Sequence, residues 1–256
     1  MISEKNKPFN SKRNDTDFTI EEYCKILQIA KKEYKFVTYS NIPWSDRFIL
    51  WRHDCDYSLN RSIKLARVEA AQGVSSTYFL NPHCEFYNLF ESSQWKIIKD
   101  IISIGHEIGL HFDGTFYAIK TEKELDERIR YEADLLRDLF GTSPSAFSFH
   151  NPISKDFACE KEKYGGLINC YSARFKAEVP YCSDSNGYWR FRRLNDVLLD
   201  ATDPCLQVLT HPGWWQEKAQ SPWERICRSV DGRASSTLSN YEEQLKKDGR
   251  LNLGKD

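Results

Sequence analysis

Apolar positions along the chain alternate between a helical and a strand-like period. Tyr23, Ile26, Leu27 and Ala30 recur at the spacing of one helix face, and Thr19 with Glu22 forms a capping box ahead of them. The continuous apolar run Phe48-Ile49-Leu50-Trp51 reads as a short strand. Helical spacing returns over 58–72 through Leu59, Ile63, Ala66 and Ala70, with Gly73 at the C-terminal cap. A strand over 76–80, a helix over 93–104 ending at Gly105, and a strand over 106–112 follow. Thr121 and Glu124 make a second capping box, opening a helix through Leu125, Ile129, Leu136 and Phe140 that stops at Gly141 before a strand over 146–149.

Beyond Asn151 the pattern loosens. Strands are predicted over 167–171 and 206–210, and Ser221, Pro222 and Glu224 open a further helix. This alternation predicts an α/β fold with a largely parallel sheet, closed as a barrel or left open. Residues 1–18 read as a flexible N-terminal arm and 19–256 as a single domain.

Composition narrows the function more than the fold. Lys and Arg number 36 against 37 Asp and Glu, so no basic excess exists to neutralise phosphates, and nucleic acid is not an expected partner. Residues 1–14 are polar, carry Lys5, Lys7, Lys12 and Arg13, and have no apolar run behind them, which predicts neither a secretory signal nor a membrane partner. A cytoplasmic location is expected. The eight cysteines contain no C-x-x-C pair, which argues against a zinc ribbon or a disulfide framework and for reduced, buried thiols.

The candidate chemistry lies where strands are predicted to end. Strand 48–51 runs into Asp54 and Asp56, strand 106–110 into His111 and Asp113, strand 146–149 into His150, and strand 206–210 into His211. Carboxyl ends of parallel strands form the mouth of a barrel or open sheet, so these groups should converge. Crowded carboxylates beside imidazoles need a cation or a proton, and imidazole with carboxylate suits zinc and its transition-metal neighbours. The structural alternative is that Asp54 and Asp56 cap the helix near Ser58 and the histidines are satisfied core or loop groups. His106, at the start of its strand, is expected at the barrel floor, His53 to bond backbone, and His83 to be a solvated loop residue.

At these positions the chain resembles the polysaccharide-deacetylase superfamily, or NodB homology domain, and its WbmS-like branch in particular. The matching segments are Arg52-His53-Asp54-Cys55-Asp56-Tyr57-Ser58, Ser76-Thr77-Tyr78-Phe79, Gly105-His106-Glu107-Ile108-Gly109-Leu110-His111-Phe112-Asp113, Phe147-Ser148-Phe149-His150-Asn151-Pro152, Ser183-Asp184-Ser185 with Trp189, and Leu209-Thr210-His211-Pro212-Gly213-Trp214-Trp215. The resemblance implies an irregular (β/α) barrel of the polysaccharide-deacetylase type with roughly seven parallel strands. It implies Asp54 as general base, Asp56 and His111 as ligands of a divalent metal, zinc by preference, and His211 as general acid. Two positions depart from the family pattern: Thr115 stands where a second histidine is usual, and His150 where an arginine is usual. His150 is expected to complete the metal site, with Asp113 as the other candidate. Tyr57, Asp113, Trp214 and Trp215 are expected substrate contacts, and Trp189 and Tyr117 are further aromatics near strand ends.

The expected activity is metal-dependent removal of an acyl group, N-acetyl first, from a sugar or sugar nucleotide in surface-polysaccharide biosynthesis. The alternatives are a catalytically altered barrel that binds a glycan or partner protein, and a metal-dependent hydrolase of a non-sugar amide.

Overall fold

The computed structural model describes residues 15–255. In chain order the elements are α1 (Ile20–Glu33), β1 (Lys35–Val37), β2 (Phe48–Asp54), α2 (Leu59–Ala71), β3 (Thr77–Leu80), α3 (Ser92–Ser103), β4 (Glu107–Phe112), α4 (Glu122–Phe140), β5 (Ala146–Phe149), α5 (Ser154–Phe157), β6 (Lys163–Tyr164), β7 (Leu167–Asn169), α6 (Ala173–Glu178), β8 (Tyr181–Ser185), β9 (Tyr188–Trp189), α7 (Leu194–Asp200), β10 (Cys205–Thr210) and α8 (Pro222–Lys247). The sheet runs β6-β7-β5-β4-β3-β2-β10-β8-β9. Every pairing from β7 to β8 is parallel, and an antiparallel partner ends each side. β1 shares one edge of β2 with β3, pairing Phe48 to Leu50 and leaving Arg52 to Asp54 for β3.

Strand alternation sorts the side chains into two cores. Ile49 and Trp51 face outward into a cluster with α1, α7 and β10, while the outer faces of β3, β4 and β5 pack on α2, α3 and α4. Phe48, Leu50, Phe79, Ala146 and Cys205 point inward and meet Phe175 and Val179. One inner core is thus shared by strands from across the sheet, as an incomplete barrel requires. Above it, Arg52 of β2 reaches the rings of Tyr171, just past β7, and Tyr181 on β8, which draws the two ends of the parallel sheet together.

The Gly105–Gly109 segment supports this barrel. His106 bonds Ser76 and the Ala66 carbonyl, and Glu107 accepts hydrogen bonds from Thr38 at 2.7 Å and Ser145 at 2.8 Å. A Cβ on Gly109 would stand 2.7 Å from the Phe79 ring, its neighbour in register, so glycine is what lets that ring fill the interior. His106 therefore has the structural place expected of it.

Several boundaries differ from the sequence reading. β2 continues through Arg52, His53 and Asp54, because these buried polar side chains find partners instead of ending the strand. Residues 1–14 of the expected arm lie outside the described residues. The last four, Asp15–Phe18, form a 3₁₀ turn, and Phe18 is buried against Trp189 and Trp215, so the packed chain begins before residue 19. His53 points away from Asp54 as expected, but its ring partners are the side chains of Glu69 at 2.6 Å, Thr210 at 2.9 Å and Tyr23 at 3.2 Å, not backbone. His83 is held rather than solvated, bonding the buried Glu132 at 2.7 Å and stacking on Phe116. All eight cysteines are unpaired. No helix among the described residues is long and apolar enough to cross a membrane.

Candidate metal centre

Five of the expected residues meet at the carboxyl ends of the parallel strands. In-register pairing sets His111 on β4 opposite Ser148 on β5, and the Ser148 hydroxyl bonds His111 Nδ1 at 2.8 Å. This turns His111 Nε2 toward the mouth. Two residues on, His150 extends the ladder through its N–H to the Phe112 carbonyl, and Asn151 then takes a left-handed turn. Asn tolerates that conformation through its short polar side chain, which also bonds His150 Nε2 at 2.9 Å. His150 Nδ1 is left facing inward.

Three donor atoms form a near-equilateral triangle. Asp56 Oδ1 lies 3.0 Å from His111 Nε2 and 3.5 Å from His150 Nδ1, and the two nitrogens are 3.2 Å apart. Atoms bound 2.0–2.1 Å from a common tetrahedral ion would stand roughly 3.3 Å from one another. Asp56 Oδ1 is buried yet accepts no well-formed hydrogen bond, as expected of an oxygen oriented for a cation. Burial works against ionising Asp56, but His111, His150 and His211 around it hold its carboxyl well below the usual range. Burial also pulls His150 down, and the Asp56 carboxylate beside it outweighs this and raises it. Two imidazoles and a carboxylate form a donor set suited to zinc and its neighbours.

Asp54 sits deeper, 2% exposed, with Arg52 Nη2 3.4 Å from its Oδ2 and the Ser148 hydroxyl 3.4 Å from its Oδ1. It faces the Nδ1 side of His111 at 3.7 Å. His211 approaches from the end of β10, the neighbour of β2 on the side away from β3, its Nε2 3.5 Å from the second oxygen of Asp56. Asp184 on β8 takes both its backbone N–H at 2.9 Å and its Nδ1 at 2.6 Å. Burial lowers the His211 pKa, but the Asp184 carboxylate more than compensates and holds it at about 9. Burial in turn raises Asp184.

The remaining expected residues divide. Tyr57 stands half-buried at the lip, its ring between Phe86 and Trp214. Asp113 does not join the triangle. Its Oδ1 accepts from the Thr115 N–H at 2.9 Å and hydroxyl at 2.6 Å, closing a turn. Thr115 itself is engaged in that turn. Trp214 and Trp215 are corrected as substrate contacts: they are 3% and 0% exposed, and Trp215 packs behind the sheet on Phe18, Tyr23 and Trp189. Trp189 is likewise core, and Tyr117 stacks on Phe112. Arg52 and Asp184 are the groups that the sequence reading left without a role. Their signal is membership of the matching segments, Arg52 two residues before Asp54 and Asp184 in the polar segment Ser183–Ser185.

No family model and no curated protein sequence matches the chain. Among solved structures it is similar to a family 4 carbohydrate esterase from Bacillus anthracis, at 17% identity and a TM-score of 0.44 over 90% of this chain and 92% of that one. It is also similar to the chitin deacetylase of Colletotrichum lindemuthianum, at 12% identity and a TM-score of 0.42 over 78% and 86%. The peptidoglycan deacetylase PdaC of Bacillus subtilis follows at 12% identity and 0.41 over 81% and 99%. These are similarities in the course of the chain, and the functional reading rests on the side chains described above.

Proposed function

We propose that this chain is a metal-dependent hydrolase that removes an acyl group, N-acetyl first, from a sugar or sugar nucleotide in cytoplasmic surface-polysaccharide biosynthesis, as a WbmS-like relative of the polysaccharide deacetylases. The observation that carries this reading is the triangle of Asp56 Oδ1, His111 Nε2 and His150 Nδ1. These three residues would hold a divalent cation, zinc by their donor chemistry. When bound, such an ion lowers the pKa of its water toward ~7 and polarises the scissile carbonyl. Asp54, held by Arg52 and Ser148, accepts the proton of the attacking water. His211, kept protonated by Asp184, delivers its Nε2 proton to the departing nitrogen or oxygen as the new carbon–oxygen bond replaces the old acyl bond.

The direct test is acetate release from a panel of N-acetylated sugars and sugar nucleotides. Release that a chelator abolishes and zinc restores is the expected result. No release across the panel by protein carrying stoichiometric zinc would sink the hydrolase reading and favour a glycan-binding barrel.

The pair His211–Asp184 makes a prediction about pH. His211 acts in its protonated form, so activity falls as pH rises through its pKa. Asp184 raises that pKa, so Asp184→Asn lowers it and moves the alkaline limb of the rate profile to lower pH. An alkaline limb that stays in place in this variant would remove His211 from the role of acid.

A further inference from the structure

A groove of about 220 Å³ lies between the start of α2 and one face of α8. Tyr57, next in sequence to Asp56, is one of its lining residues and ties it to the metal centre through the chain. The lining presents the guanidinium groups of Arg228 and Arg233 with the hydroxyl and amide groups of Asn60, Gln94, Ser229 and Ser236, and it contains no carboxylate.

Arg233 is already paired with Glu91 at 2.6 Å. Arg228 makes no ion pair among the described residues. Its Nη2 reaches the Gly213 carbonyl at 3.3 Å, two residues past His211, and its Nε is buried without a hydrogen bond. Burial, with the positive charges of Arg61 and Arg225 close by, outweighs the opposing Glu217 carboxylate and pushes this guanidinium down to about 10. A half-buried cation with no ion pair of its own is stabilised by an anion that enters beside it. The start of α2 reinforces this. Ser58 makes no side-chain cap bond, the first turn holds no acidic residue, and Ser58 and Leu59 both line the groove.

We propose that this groove binds the phosphate of a phosphorylated acyl sugar, and in particular the diphosphate of a sugar nucleotide. Donors stand on both walls, and a phosphate offers oxygens in several directions, whereas a carboxylate offers two in one plane. The proposal rests on the hydrolase reading for which sugar reaches the metal centre, but the anion chemistry of the groove is independent of it.

The test is calorimetric titration of metal-stripped protein with inorganic pyrophosphate, with glucuronate as the carboxylate probe. Saturable pyrophosphate binding is expected, with none by glucuronate at equal concentration. Arg228→Gln should weaken it at least ~10-fold, the worth of one charge-assisted hydrogen bond. A Cβ at Gly232 on α8 meets nothing within 4 Å, and other residues suit a helix better than glycine, so variants there should fold. Gly232→Glu, which puts a carboxylate at the groove, should weaken binding far more than the neutral Gly232→Gln. The proposal is overturned if wild-type protein shows no saturable binding, if glucuronate is preferred, or if Arg228→Gln and Gly232→Glu bind as wild type does. Because no metal is present, failure of the hydrolase reading leaves this result standing. Failure here leaves hydrolysis of neutral acyl sugars untouched.

Discussion

Asp54→Asn is expected to cut turnover by ~10²–10⁴-fold, the usual worth of one positioned acid or base, while metal content stays close to wild type. Asparagine keeps the shape of the side chain and can still accept the Ser148 hydroxyl bond, but it cannot take a proton. The geometry makes this variant discriminating. Asp54 faces the Nδ1 side of His111, 3.7 Å away, where a carboxylate could instead serve to orient the ring. Loss of an orienting partner typically costs ~10–100-fold in metal affinity, so a variant that loses zinc together with activity would move Asp54 from base to positioning residue. Turnover near wild type would exclude both roles.

His150→Ala is expected to weaken zinc binding by more than that ~10–100-fold, since it removes one of three donors and not a support behind a donor. Asp113→Ala is the matched control. Asp113 is the other candidate third ligand in sequence, yet its Oδ1 is committed to the Thr115 and Phe116 turn. Its loss should loosen that loop while zinc affinity stays near wild type. Equilibrium titration of both variants against a competing chelator reads the difference. Equal losses, or a greater loss from Asp113→Ala, would reverse the assignment.

The convergence of the site was legible because it depends on topology more than on side-chain detail. Once strands were placed before Asp54, His111, His150 and His211, parallel order alone brought their ends to one mouth. Capping boxes and terminal glycines similarly located α2, α4 and the start of α8, with Gly141 taking the left-handed cap. Asp184 was harder to read because β8, Tyr181–Ser185, is largely polar and carries no apolar run to mark a strand. Arg52 was obscured for the opposite reason. A charged residue looks like the end of a strand unless its burial beside Asp54, Tyr171 and Tyr181 is known. Proximity to His211 makes Trp214 and Trp215 look like site residues, but sequence does not tell which face of a turn an aromatic takes, and packing puts Trp215 behind the sheet.

If Asp56, His111 and His150 hold a catalytic divalent cation, the ion itself is visible between them. Diffraction from crystals grown with zinc, recorded at the zinc absorption edge, measures this directly. One anomalous peak is expected, about 2.0–2.2 Å from Asp56 Oδ1, His111 Nε2 and His150 Nδ1. A peak coordinated by Asp113 with His150 turned away, or no peak at this triangle in excess zinc, would contradict it.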